Sequence, residues 1–196
     1  MRISKSRTVH RQVAYTVELS EYDAQPPANV WLLDGLPDKV NPELEAVALY
    51  LIFGSWCGGE FLVPQKMGPN TAAAITRHAG MDFFPGPIEY YPKPILRGSR
   101  MITVSEDLGK AGNNSLVLLG GSSWNGSLKS TSSLVLSSNT EIFSTEATSS
   151  ITKLAPAVLL AEVLDVAEIL MDFDLGEVDE SVSNLLRQVG IAIKNS

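Results

Sequence analysis

The chain reads as α+β: a mainly antiparallel sheet packed by about four helices, with an extended arm rich in proline and aromatic residues. Three observations predict this. Residues 8–19 alternate apolar and polar side chains. Capping and breaker residues frame helical patterns early and late in the chain. Between them, residues 101–145 carry short apolar runs separated by turn-forming residues.

In the alternating segment Val9, Val13, Tyr15, Val17 and Leu19 share one side, and Thr8, His10, Gln12, Thr16 and Glu18 the other, with Arg11 the one break on the inner face. A turn through Pro26-Pro27 leads to a short strand at 30–33. The first helix is marked by a capping Asn41, Pro42 in the first helical position, Glu43 and Glu45 against the dipole, and Gly54 as a stop. Apolar residues on most of its circumference predict cover on most sides. A second helix is expected from an Asn70 cap to Gly80, with Arg77 and His78 suiting its carbonyl end.

Residues 82–98 interleave Phe83, Phe84, Tyr90 and Tyr91 with Pro85, Pro87, Pro92 and Pro94. Proline at that density excludes helix and interrupts sheet pairing. The four aromatics are therefore expected to form an extended arm that packs under the domain or against another chain.

Strands are expected at 101–104, 115–120, 131–137 and 141–145, and Asn125-Gly126 is the strongest hairpin signal in the chain. Residues 112–150 hold 12 Ser and 4 Thr but only three charged residues, which predicts weakly solvated sheet faces suited to pairing or covering. A third helix is expected over 154–171, and a fourth from about Asp179 to a stop at Gly190. Ile191-Ala192-Ile193 then joins a sheet edge. No internal repeat and no domain boundary is visible, so residues 1–196 are read as one globular domain, with 1–7 available as a flexible basic arm.

Charge is distributed unevenly. The net charge is −7, yet the window 162–180 alone holds eight acids and no Lys or Arg, so the remainder sums to +1. The opposite pole is Arg2, Lys5, Arg7 and Arg11, all preceding the first acid, Glu18. On a helix, Glu162, Asp165, Glu168 and Asp172 would form one carboxylate ridge. An acidic chain argues against a general nucleic-acid binder. A charged fraction of only 19% hints at extra burial in a complex.

The chemical motifs are weak. Cys57, the single cysteine, excludes an internal disulfide and a Cys-based zinc site. It follows a helix C-terminus, which favours a protonated structural thiol over a nucleophile. Asp172-Phe173-Asp174-Leu175-Gly176 fails as a calcium loop, because its glycine falls one position early and Ser183 stands where the bidentate Glu belongs. Leu119-Gly120-Gly121-Ser122-Ser123 lacks the following helix of a phosphate cradle, and Gly121 to Gly126 misses the hydrolase elbow by one residue. No metal or cofactor is expected.

Without an apolar run after the basic start, no secretory signal is expected, and no segment approaches a membrane span. The sequons at Asn113 and Asn125 are read as chance, and the cytoplasm is the expected location. Three functional readings remain, in order. The first is a non-enzymatic assembly or adaptor subunit acting through protein contacts and self-association. Its sharpest form sets the basic pole of one copy on the acidic ridge of another. The second is a small enzyme gathering Cys57, His78 and a Tyr from distant parts of the chain. The third is nucleic-acid contact through the basic arm.

Overall fold

The computed structural model describes residues 1–10, 12–80, 82–121, 126–145, 149–171 and 180–195. Asn41 starts the helix around which the rest is built: its side chain accepts a hydrogen bond from the Glu43 amide at 3.0 Å, and Pro42 occupies the first helical position. This helix, α1 (Pro42–Phe53), is buried at eleven of its twelve residues. An all-round apolar helix requires cover on every side, and the sheet and the other helices supply it.

Before α1 come three strands, β1 (Arg2–Arg7), β2 (Val13–Glu18) and β3 (Val30–Leu33). After it come β4 (Glu60–Met67), α2 (Pro69–Ala79) and β5 (Phe84–Ile88). An extended stretch leads to β6 (Arg100–Ser105), β7 (Ser115–Gly120), β8 (Ser127–Lys129) and β9 (Leu134–Ser138). The chain ends with α3 (Ser149–Leu159), the single turn α4 (Ala161–Leu164), β10 (Val166–Met171), α5 (Glu180–Gln188) and β11 (Ala192–Asn195).

Among the described residues the eleven strands form one mixed sheet in the order β11-β10-β6-β7-β9-β3-β2-β1-β4-β5, with β8 paired to β9. It is not mainly antiparallel. β4 pairs parallel with β1 and β5; β6, β7 and β9 run parallel in succession; β10 runs parallel to β6 and β11. Antiparallel pairing is confined to β1–β2, β2–β3, β3–β9 and β8–β9. Two of these parallel pairs, β4–β5 and β10–β11, follow from α2 and α5, each a crossover that returns the chain to a neighbouring parallel strand.

The order contains a repeat that the sequence does not show. In the first half, strands 5-4-1-2-3 are built as three strands, a buried helix, a strand, a helix and an edge strand. In the second half β11-β10-β6-β7-β9, with α3 and α5, follows the same connectivity. The halves meet at their third strands, β3 against β9, and helices pair in kind, α1 on α3 and α2 on α5. Two strands depart from the repeat: β2 is antiparallel to its neighbours, whereas β7 is parallel, and β8 has no counterpart in the first half. If the sheet were flat, ten strands at about 4.8 Å would hold its edges roughly 40 Å apart. Because α2 and α5, at opposite ends of the strand order, touch, the sheet curls around α1 and α3. One apolar cluster runs through both halves.

The seam between halves accounts for the end of the Ser/Thr-rich segment, at Ser137, Ser138 and Thr140. Only Leu33 and Ser138 pair across β3–β9, and side chains do the remaining bonding. Asn139 accepts from the Leu32 amide at 2.7 Å and donates to the Val30 carbonyl at 2.8 Å. Ser138 donates to the Leu32 carbonyl at 2.9 Å, and the Trp31 indole donates to Thr140 at 2.9 Å. Ser137, Ser138 and Thr140 are buried, not weakly solvated.

Several element expectations are corrected. Residues 1–7 supply a strand between β2 and β4 where a flexible arm was expected. The α2 cap is Gly68, not Asn70. Residues 140–143 form a 3-10 turn where a strand was expected. Asn125 lies outside the described residues, and β8 pairs with β9, so the hairpin lies one strand later. The helix expected over 154–171 ends at Leu159 and gives way to α4 and then to β10, which is paired on both edges.

Candidate functional site

Among the described residues the two charged poles do not form two surfaces. In β1, Lys5 points inward and its ammonium pairs with Glu45 at 2.9 Å. Glu45 is fully buried on α1, and its carboxylate also accepts from the Tyr15 hydroxyl and the Gln65 amide, each at 2.7 Å. Burial, with Glu45 adding to it, pushes the Tyr15 phenol far up. Arg7 is held by Asp38 and by the Leu36 carbonyl. Arg2 is exposed, and Arg11 lies outside the described residues. A buried charge kept by three donors is costly to disturb, so the half-buried Lys5 is committed to Glu45.

The acidic residues are divided as well. Glu162 is exposed on α4, Asp165 is the left-handed residue that ends α4, Glu168 sits in β10, and Asp172 lies outside the described residues. Asp165 accepts from the Ser99 hydroxyl and lies 3.9 Å from Arg100, and Glu168 pairs with Lys194 at 3.1 Å. The single helical ridge is therefore corrected: turn and strand geometry places these carboxylates on different elements.

The proline–aromatic segment is partly core and partly surface. Phe83 is buried against Tyr50 and Phe61. Phe84 opens β5, the last strand at one end of the sheet, and is 63% exposed. Tyr90 and Tyr91 are 77% and 91% exposed, and Leu96 is 68% exposed. The segment is nevertheless laid on the molecule. Pro92 lies against Gly68, Ile95 packs on the core, and Gly98 meets the backbone at Val166. Pro85 and Pro87 lack amide protons, which blunts β5 as a template for another strand.

Cys57 and His78, distant in sequence, line one cavity of about 220 Å³ together with Tyr50. The Tyr50 hydroxyl and His78 Nδ1 are 2.7 Å apart. The Cys57 thiol donates to the Glu60 carbonyl at 3.3 Å. Burial, with Asp23 adding to it, pushes that thiol up, and burial, with Cys57 adding to it, pushes the Tyr50 phenol up to about 12. Both groups therefore stand as neutral hydrogen-bonding groups at neutral pH. Tyr50 is the site residue that sequence reasoning left unnumbered, and its only signal was its place in the last turn before Gly54. Among the described residues no three His, Cys, Asp or Glu side chains gather as a metal would require. No helix among them is long and apolar enough to cross a membrane.

Comparison with protein-family models, with curated proteins and with solved structures finds no match to this chain.

Proposed function

We propose that the protein is a non-enzymatic assembly or adaptor subunit that works through protein contacts and associates with a second copy of itself. The observation that carries this reading is the row of exposed Phe84, Tyr90, Tyr91 and Leu96 on a segment anchored by Pro92, Ile95 and Gly98. Large apolar side chains held outward on an ordered segment mark a contact surface, and tyrosine anchors carry such contacts well. Lys93 and Arg97 stand exposed within the same row. The chain is acidic overall, with eight acids in 162–180, so another copy brings complementary charge. The contact proposed here uses this row rather than the charged poles, because Lys5, Arg7, Asp165 and Glu168 are engaged within the chain.

Absolute mass by light scattering at low and high salt tests it. The unaltered protein is expected to exceed the monomer mass. Tyr90→Ser with Tyr91→Ser should return it to monomer at every salt concentration, and Lys93→Glu should weaken association only at low salt. A monomer under all conditions would sink self-association.

The enzyme reading is second, favoured by the meeting of Cys57, His78 and Tyr50 at one cavity. It needs a thiolate, and the Cys57 thiol is pushed the wrong way for one. If iodoacetamide reacts with Cys57 at full rate near neutral pH, this order of readings must be reversed. Nucleic-acid contact ranks third, since Lys5 and Arg7 lie in a paired strand with carboxylate partners.

A further inference from the structure

The cavity between the last turns of α1 and α2 and the first turn of α3 has a composition that specifies what it can hold. Leu51, Ala79, Phe83 and Ile151 make its apolar wall. The polar groups are the Tyr50–His78 pair, the Cys57 thiol and Ser55 at the exposed rim. Among the described residues lining it there is no Asp, Glu, Lys or Arg. An ionic ligand seated there would therefore lose water without a full countercharge, which disfavours it against a neutral one. The volume of about 220 Å³ lies below the range of roughly 300–1,000 Å³ for drug-sized ligands, which limits the occupant to about one ring.

The hydrogen-bonding end is equally restrictive. Tyr50 and His78 share one proton position, and either ring nitrogen carries the imidazole proton according to tautomer. A hydroxyl both donates and accepts, so it suits either arrangement. A group that can only donate or only accept suits one. The Tyr50 ring stands edge-on to Phe83, with centroids 5.5 Å apart, and to His78, with centroids 5.4 Å apart. Ring edges and faces so arranged receive a flat apolar body well.

We propose that this cavity binds a small neutral molecule, one ring in size, that carries a single hydroxyl group. The site needs no thiolate, no second subunit and no basic arm, so it stands or falls separately from the three functional readings above.

Cys57 is the only cysteine and lines the cavity, so its alkylation by iodoacetamide at a fixed alkaline pH reports occupancy. Benzyl alcohol serves as the neutral probe, with benzoate and benzamidinium, which keep their charges at that pH, as charged probes of similar size. Benzyl alcohol is expected to slow alkylation saturably, roughly tenfold at ten times its Kd, while the charged probes leave the rate unchanged. Equal protection by all three, or none by benzyl alcohol, would overturn the proposal. Ala79→Met, which fills the cavity from the end of α2, should abolish the protection without lowering the unfolding midpoint. Should that variant fold poorly, amide spectra of the unaltered protein decide. Benzyl alcohol must shift Leu51, Gly54, Cys57 and Ala79, and shifts confined to other residues would count against the site.

Discussion

Gly58 and Gly59 stand side by side in the turn after α1 and should answer alanine in opposite ways. A Cβ on Gly58 would lie 2.0 Å from the Tyr22 carbonyl oxygen, which is backbone and cannot turn away, whereas one on Gly59 would meet nothing within 4 Å. Gly58→Ala is expected to cost about 1–3 kcal/mol by overpacking. Gly59→Ala should be neutral, or stabilise by about 0.4–1 kcal/mol through a less flexible unfolded chain. Urea midpoints of the pair decide it, and equal midpoints would be inconsistent with this turn. The same loop sets the acid limb of stability. Burial alone would raise the Asp23 carboxyl, but the Met1 ammonium, the Ser20 hydroxyl and the Ser20 and Gly58 amides hold it well below its ordinary range. With the native value lowered, the unfolded chain takes up the proton first. Stability should therefore fall as pH drops below about 4, and Asp23→Asn should flatten that limb in a pH series of thermal midpoints. The alkaline limb has the opposite sign: Cys57 and Tyr50 are raised, so stability declines as pH climbs through their ordinary values. Little at this scale was legible in sequence. Glu45 reads as a first-turn acid facing a helix dipole, and only the meeting of β1, β2 and β4 turns it into a buried hub for Lys5, Tyr15 and Gln65.

Elements whose signals are local were legible, and elements made by distant pairing were not. Asn41 and Pro42 specify the start of α1 within three residues of chain. Residues 166–171 offer a short apolar run broken by one acid, Glu168, which fits helix and strand equally well. What makes them β10 is pairing with β6 on one side and β11 on the other. The switch is Asp165, in the left-handed region at φ 57°, whose carbonyl accepts from the Ser99 amide at 3.0 Å and the Arg100 amide at 2.8 Å. Asparagine tolerates that conformation and β-branched residues do not. Asp165→Asn should retain most stability, whereas Asp165→Val should lose an additional ~1–2 kcal/mol from the backbone alone. Gly98→Ala should also weaken the β6–β10 junction, because its Cβ would sit 2.1 Å from the Val166 carbonyl oxygen. If the Asn and Val variants at 165 melt together, the turn is not what ends α4.

At the scale of the molecule the repeated connectivity matters most, and side-chain pattern hides it because the halves use different residues for equivalent jobs. Gly80 and Gly190, both at positive φ, each end the helix before an edge strand, and a buried Phe83 and a buried Ile191 follow them. Those matched stops belong to a repeat that strand order makes plain. Its energetic consequence is mutual dependence. α1 and α3 are buried against each other, and the seam at β3–β9 is completed by Asn139, Ser138 and Thr140 reaching across it. Neither half can cover its central helix alone. Residues 1–96 expressed separately should expose α1 and the free edge of β3, and a second copy is the closest available substitute for the missing half. Light scattering and near-ultraviolet circular dichroism should therefore show a fragment that pairs with itself or lacks fixed tertiary structure. The full chain, with one core, should instead unfold in a single transition that fluorescence and circular dichroism report together. A monomeric first half with its own cooperative transition would mean that the two halves are independent folding units, and the shared core would lose its role in holding them together.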